Sequence, residues 1–376
     1  MFEERYDVTN HTNVVRPWIE VIDQSELPAQ TGSRVISWIG RKEQRSYSTY
    51  TFLSRRGCIR LGPTILRSGD PFGIFSNQRS SDARQSLLVL PYFVDLGYFL
   101  SPIGLLPGGK AQQFRTTEVT PHAAGVREYS PGDSLNRIHW ASSAKRQKLM
   151  VKEFERDPQS DLWVFMDAQK GLHGRLAYMP PEQLADQLFF LKKQKSIELP
   201  PDSFEYAVSI CASVCRYFIR TGQAVGLYAN NKNLLSIQPE RGERQLGKIL
   251  EALAYLEPDG SQNFQNLIEA HRGHIPRGSS VVIITPSIDD ELIRGIAMLT
   301  LRDMYPVVVL VDQNAFGGTY DINGALARLE SNNIPVAVIK QTNNLKEAIE
   351  DGFVFIPDSY QYGINKQYHP GIWEKN

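Results

Sequence analysis

Leu162-Trp163-Val164-Phe165-Met166-Asp167 is the stretch that sets the fold class. An apolar run ending on an acidic residue reads as a short buried strand that stops at a polar turn. The pattern then repeats. Strands are expected at 162–166, 224–228, 234–237, 281–284, 306–311 and 336–339, and helices at 203–220, 244–256, 264–271, 290–301, 322–331 and 345–351. Such alternation builds an open, mostly parallel sheet. Segment 177–201 reads as an inserted lid or extra helix, with Leu184, Leu188 and Leu191 on one face.

Upstream, the chain changes character. Trp18 to Ile22 alternates around one face, and Arg45 to Phe52 is β-branched and aromatic, so residues 1–91 read as β. The opening Tyr6-Asp7-Val8 resembles the middle of a sandwich more than its start, and an initial strand is expected ahead of it. Arg55-Arg56-Gly57 and Asp70-Pro71-Phe72-Gly73 read as hairpin turns, with Phe72 and Phe75 plugging the end of the sandwich. Residues 92–126 read as a linker. Within it, Gly104 to Ala111 satisfies the G-x-x-x-x-G-K spacing of a phosphate loop. However, Ala111 lacks the hydroxyl that magnesium needs, and Phe114-Arg115-Thr116-Thr117 is a poor helix opening, so nucleotide binding is rejected.

Residues 127–158 form a distinct block. In Arg127-Glu128-Tyr129-Ser130-Pro131-Gly132-Asp133-Ser134-Leu135-Asn136-Arg137-Ile138-His139-Trp140, Pro131-Gly132 marks a turn. Asp133 or Ser134 is expected to cap a helix whose apolar stripe is Leu135, Ile138, Ala141 and Ala144. The charges around Trp140 imply a structural clasp or a docking surface.

The block resembles the family known as domain of unknown function 58. Its members carry an Arg-x-Tyr-x-Pro-Gly-Asp turn, an Ile-His/Asp-Trp helix, a Ser-Ala-Arg/Lys element and a Val-Lys-Glu-Phe-Glu strand. These read here as 127–133, 138–140, 143–146 and 151–155. The likeness extends upstream to Arg56-Gly57, Leu61-Gly62-Pro63 and Asp70-Pro71-Phe72-Gly73. It implies a multi-domain β plus α/β chain: a β-sandwich over 1–91, then a von Willebrand factor A-like open parallel sheet with helices on both faces over 159–350, and a tail over 351–376. Family members usually begin with membrane helices, whereas no apolar run of about 18 residues occurs here. Cytoplasmic placement is expected for the chain as written, and membrane association if an anchor precedes it.

The resemblance also implies a place for magnesium or manganese, at the end of the first strand through Asp-x-Ser-x-Ser. Here Asp167 is kept, Gln169 and Gly171 replace the serines, and Lys170 adds a positive charge. Asp167, Gln169, Thr285 and Asp289 are the candidate ligands of what reads as a degenerate site. His271 and His274 form a second candidate pair, which at a helix end reads more simply as capping.

Composition narrows the function. Lys+Arg and Asp+Glu both number 41, which gives no electrostatic case for nucleic acid, and the three cysteines have no paired spacing, which excludes a disulfide scaffold. Cys211 and Cys215 read as small core residues on a helix. No G-x-S-x-G elbow appears, and a triad of Asp133, His139 and Ser142 on one helix would not converge on one substrate atom. An interaction module therefore reads best. Its motif surface comprises Arg127, Tyr129, Gly132, Asp133, Arg137, His139, Trp140, Lys145 and Arg146. By resemblance its partner is a MoxR-type AAA+ ATPase, with a membrane protein or client complex beyond. A divalent-ion-dependent ligand-binding domain is the alternative, and a hydrolase a weaker one.

Overall fold

The structure, a computed structural model, describes residues 2–27, 32–51, 53, 55–69, 74–81, 84–100, 123–129, 138–154, 161–177, 199–357 and 360. The chain divides into two units, 1–99 with 162–357, and 100–161 with 358–376.

The first unit opens with antiparallel β structure: β1 (Phe2–Thr9), β2 (Ile19–Asp23), β3 (Arg34–Ile36), β4 (Gln44–Thr51), β5 (Gly57–Leu61), β6 (Thr64–Gly69), β7 (Ser76–Ser81) and β8 (Gln85–Val89). β1 pairs with β4, β5 with β8, and β3-β2-β6-β7 form a four-stranded sheet. Alternation along β1 and β2 turns Tyr6, Val8, Ile19 and Val21 inward, where they pack with Ile39, Ile36 and Tyr47. Phe75, expected as a plug, is instead exposed at the start of β7, an edge strand with no buried residue. The turn at 70–73 lies outside the described residues, as do 104–111 and most of the expected lid.

The second unit contains β9 (Ala123–Glu128), α1 (Trp140–Arg146) and β10 (Met150–Phe154), with β9 and β10 antiparallel. The helix begins later than the sequence suggests. Ile138 is extended, buried and bridged to Val151, and His139 is the N-cap. Its Nδ1 accepts from the Ser142 N–H at 3.2 Å and lies 2.7 Å from Ser142 Oγ. The expected stripe through Leu135 and Ile138 is thus split by a strand-like residue; Asp133 and Ser134 lie outside the described residues. Ser143, buried under the helix, takes the Met150 N–H at 2.9 Å and fastens α1 to β10.

The rest of the first unit is α/β: β11 (Leu162–Met166), α2 (Ser203–Arg220), β12 (Val225–Ala229), β13 (Leu235–Glu240), α3 (Glu243–Tyr255), α4 (Phe264–His271), β14 (Ser280–Thr285), α5 (Asp290–Thr300), β15 (Tyr305–Val311), α6 (Ile322–Ser331), β16 (Val336–Ile339), α7 (Leu345–Glu350) and β17 (Phe353–Phe355). The sheet order is β13-β12-β11-β14-β15-β16-β17, parallel except for the antiparallel edges β13 and β17. β11, β12 and β14 are buried along their whole length, which explains their unbroken apolar sequences. Trp163 and Phe165 meet α4, α5 and α6 through Ile268, Leu292 and Leu329, while Val164 and Met166, equally buried, point the other way. Cys211 and Cys215 are both buried in α2.

One side chain ties the β hairpins to this sheet. Gly57 adopts φ +124°, a backbone closed to most residues, and turns the chain so that Arg56 enters the α/β layer. The Arg56 side chain, 4% exposed, donates from Nε to Leu253 O (2.9 Å) and from Nη2 to Leu256 O (2.5 Å). Its guanidinium carbon lies 5.0 Å from the centroid of the Phe204 ring, and Nη1 forms an ion pair with Glu205. Burial pushes the Glu205 carboxyl up, and Arg56 opposes it. Arg56→Ala removes two carbonyl contacts and strands a buried acid. It should cost about 3–5 kcal/mol in urea unfolding, and Arg56→Lys, which lacks the planar fork, should recover only part of that.

Candidate functional site

Open α/β sheets present ligands at the carboxyl ends of their strands, where the order reverses around the first strand. That place lies here at the ends of β12, β11 and β14. Met166 is in register with Ala229 on one side and Ile284 on the other, so the next residues, Asn230, Asp167 and Thr285, stand in one row. Three polar residues thus crown three buried apolar strands.

Asp167 is 1% exposed, and its carboxyl is fully engaged. Oδ1 accepts the Gln169 N–H at 3.0 Å and Asn230 Nδ2 at 3.2 Å. The second Asn230 Nδ2 hydrogen goes to Gln262 O, and Asn230 Oδ1 accepts the Ala168 N–H. Oδ2 lies 2.9 Å from Thr285 Oγ1, which is also 2.8 Å from Ser287 O. A threonine hydroxyl has one hydrogen, so both contacts are hydrogen bonds only when Asp167 brings a proton of its own. Burial pushes the Asp167 carboxyl up, in the direction that supplies it.

The surroundings close the row. His173 Nε2 lies 3.0 Å from Asp167 O and Nδ1 lies 3.2 Å from Ser203 Oγ, an arrangement for a neutral ring with its hydrogen on Nε2. Burial lowers the His173 pKa accordingly. Gly260 exchanges backbone hydrogen bonds with Ala168 and Lys170, and a Cβ there would fall 1.7 Å from Asn230 O. No other residue fits.

The candidate residues divide. Asp167 and Thr285 meet through side chains and Gln169 joins through its backbone. Asp289 is used elsewhere, capping α5 by accepting the Leu292 N–H at 2.7 Å. A hard divalent cation needs several oxygen ligands with negative charge among them. Here there is one carboxyl, with two N–H donors aimed at one oxygen and a hydroxyl at the other. These residues do not fit magnesium or manganese. Among the described residues no three His, Cys, Asp or Glu side chains group as a metal site. His271 places Nδ1 3.0 Å from Leu267 O and its ring against Tyr228, with the His274 ring 6.3 Å away. Asn230 and His173 were not singled out from sequence; a polar residue directly after a buried strand was the available signal for Asn230.

In the motif block, Tyr129 donates its N–H to Leu149 O at 2.8 Å, and Arg127 pairs with Val151 across β9 and β10. Trp140 is 70% exposed on the first turn of α1, Lys145 and Arg146 are exposed on its last turn, and Leu149 is exposed beyond it. Lys148 reaches Glu128 at 2.9 Å. Gly132, Asp133 and Arg137 lie outside the described residues.

The hydrogen count at Asp167 gives a direct expectation. Asparagine can place an N–H where the carboxyl O–H stands, so Asp167→Asn should stay within about 1 kcal/mol of wild type in chemical denaturation. Asp167→Ala takes the acceptor from the Gln169 N–H and from one Asn230 amide hydrogen and empties a buried position, and should cost about 2–4 kcal/mol. Equal losses would mean that the negative charge itself is required.

Comparison with known proteins places the chain. The uncharacterized protein YeaD of Bacillus subtilis is 24% identical over 264 residues, which is 69% of this chain and 57% of that protein. The chain thus spans little more than half the length of that relative. Among solved structures, the conserved hypothetical protein BatB from Bacteroides thetaiotaomicron aligns with a TM-score of 0.33 at 9% identity, covering 51% of this chain and 96% of that one. An aerotolerance-related membrane protein from Bacteroides fragilis aligns at 0.31 and 11%, with the same coverage. Residues 125–176 and 199–315, spanning the motif strands and the crowned sheet, match the family described as protein of unknown function DUF58, and it is to this family that the chain belongs.

Proposed function

We propose that this protein is a non-enzymatic interaction module that works with a MoxR-type AAA+ ATPase in the assembly or maturation of a client complex. The observation that carries the reading is α1. A tryptophan is held 70% exposed on a short helix, with Lys145 and Arg146 exposed one to two turns on. The helix is fixed, because Ser143 anchors it to β10 and Ile138 ties its entry to Val151. An exposed aromatic beside cations on a rigid frame suits an acidic partner surface, since little side-chain order is lost on docking. The ATPase itself enters through the family resemblance.

The Asp167 row supports a module that does not depend on an ion. In the competing reading, a von Willebrand factor A-like domain binds its ligand through a divalent ion. Asp167 would then have to abandon Thr285 and two N–H donors. The hydrolase reading meets a similar obstacle: His139 Nδ1 is occupied as a helix cap. Charge balance argues against nucleic acid. Among the described residues no helix is long and apolar enough to cross a membrane, and work at the cytoplasmic side, free or beside a membrane-held client, is part of the proposal.

Co-purification with the MoxR-type ATPase encoded nearest to it, with and without ATP, tests the reading. Wild type should capture the ATPase and change its ATP turnover. Trp140→Ala and the double change Lys145→Glu with Arg146→Glu should weaken capture by about tenfold or more, while Asp167→Asn should not. Lack of capture in every nucleotide state, or loss only in Asp167→Asn, would defeat it.

A further inference from the structure

Two loops of the N-terminal β structure, 10–18 between β1 and β2 and 37–43 between β3 and β4, present apolar and cationic side chains together. Val14 is 64% exposed and Trp38 54%. His11, Arg16, Arg41 and Lys42, on the same two loops, are exposed as well. Glu43 is the single acid in either loop, so three cations face one carboxylate and leave an excess of two positive charges.

Hydrogen bonds knit the loops into one tip. Asn10, 5% exposed, donates from Nδ2 to Val14 O and to Gly40 O, each at 2.8 Å. Its Oδ1 accepts from the Thr12 hydroxyl at 2.7 Å and from the Thr12 N–H at 3.1 Å. Arg16 and Ile39 exchange backbone hydrogen bonds at 3.0 and 2.9 Å, which sets Trp38, the neighbour of Ile39, beside the first loop. Lys42 adopts φ 52°, a left-handed backbone. From there its N–H reaches Thr12 O at 3.3 Å and its Nζ reaches His11 O at 2.7 Å. Val14 and Trp38 therefore stand on backbone fixed from both loops.

The acids around the tip are already engaged. Glu43 accepts the Gly40 N–H at 2.5 Å with one oxygen and pairs with Arg45 at 2.7 Å through the other. Asp7, near the end of β1, is held by Arg5 and Ser46, and Glu20, at the start of β2, by Arg67 at 3.2 Å. Among the described residues no acid pairs with Arg16, Arg41 or Lys42. The surplus charge is thus open to something outside the chain.

We propose that this tip docks on an anionic lipid surface, with Trp38 and Val14 entering the headgroup layer and Arg16, Arg41 and Lys42 meeting lipid phosphates. Charge complementarity selects an anionic partner, and the two exposed apolar side chains select one that also offers an apolar phase. Tryptophan favours the membrane–water boundary, and arginine pairs with phosphate. Binding of this kind draws on buried apolar area and on attraction to anionic headgroups together, and each cation at such a surface is worth about fivefold in affinity. The tip shares no residue with α1 or with the Asp167 row, so the inference stands apart from the function proposed above.

Co-sedimentation of the full chain with vesicles tests it, comparing mixed phosphatidylglycerol and phosphatidylcholine with phosphatidylcholine alone. Wild type should bind the anionic vesicles about tenfold more tightly or better, and added salt should weaken that binding. The double change Arg16→Glu with Arg41→Glu should lower binding about tenfold or more, and Trp38→Ala about fivefold. Both variants alter exposed side chains and should unfold at the temperature of wild type. The triple change Trp140→Ala, Lys145→Glu and Arg146→Glu should bind vesicles as wild type does, which separates the tip from the docking helix. Equal binding to both kinds of vesicle, or none to either, would overturn the proposal. So would anionic binding that survives both tip variants or is lost only in the triple one. Binding of polyglutamate but not of vesicles, abolished by Arg16→Glu with Arg41→Glu, would assign the tip to an acidic protein and also overturn it.

Discussion

A single carboxyl group holds the ends of three parallel strands together. Asp167 directly follows β11, and it bonds to Asn230 at the end of β12 and to Thr285, the last residue of β14. Parallel strands have no hairpins to fix their ends, so something beyond the backbone ladder must keep the carboxyl edge of the sheet in register. The row does so with hydrogen bonds alone. The rest of that edge follows: Gly260 must be glycine to let its strand-like turn approach, His173 bridges Asp167 O to Ser203 at the start of α2, and Asp289 is left to cap α5.

Around Asp167 every oxygen faces an N–H or O–H, and the one hydrogen in short supply is that of the Thr285 hydroxyl, shared between Asp167 and Ser287. A site that already satisfies its acid needs no ion and gains little from one. The position that family resemblance favours for a metal is thus the satisfied one.

Much of the α/β layer was readable in advance. β11, β16, α2, α4 and α6 begin and end where apolar period and capping residues place them, with Asp202 and Asp321 at the N-caps of α2 and α6. Their apolar residues are buried or partly buried against the sheet, so hydrophobic pattern and structure coincide. β7, by contrast, is Ser76–Ser81, held to β6 by backbone hydrogen bonds with no buried side chain, and so carries no pattern to read. The start of α1 was misplaced because a histidine ring does the capping and Ile138 belongs to a bridge. Arg56 looked like a turn residue, since its partners Leu253 and Leu256 lie 197 and 200 positions away and Glu205 is also distant in sequence. Asn230 and His173 carry meaning only through sheet order, which places strand ends side by side that the sequence keeps far apart.

The central claim is that Asp167 is a protonated, structural acid and not an ion ligand. Carbon-13 NMR of the aspartate carboxyls, with the Asp167 signal assigned by its loss in Asp167→Asn, tests this directly. The account requires a signal at the position of a protonated carboxyl through neutral pH that neither shifts on adding magnesium nor broadens on adding manganese. A carboxylate signal at neutral pH, shifted or broadened by those ions at Asp167, would contradict it.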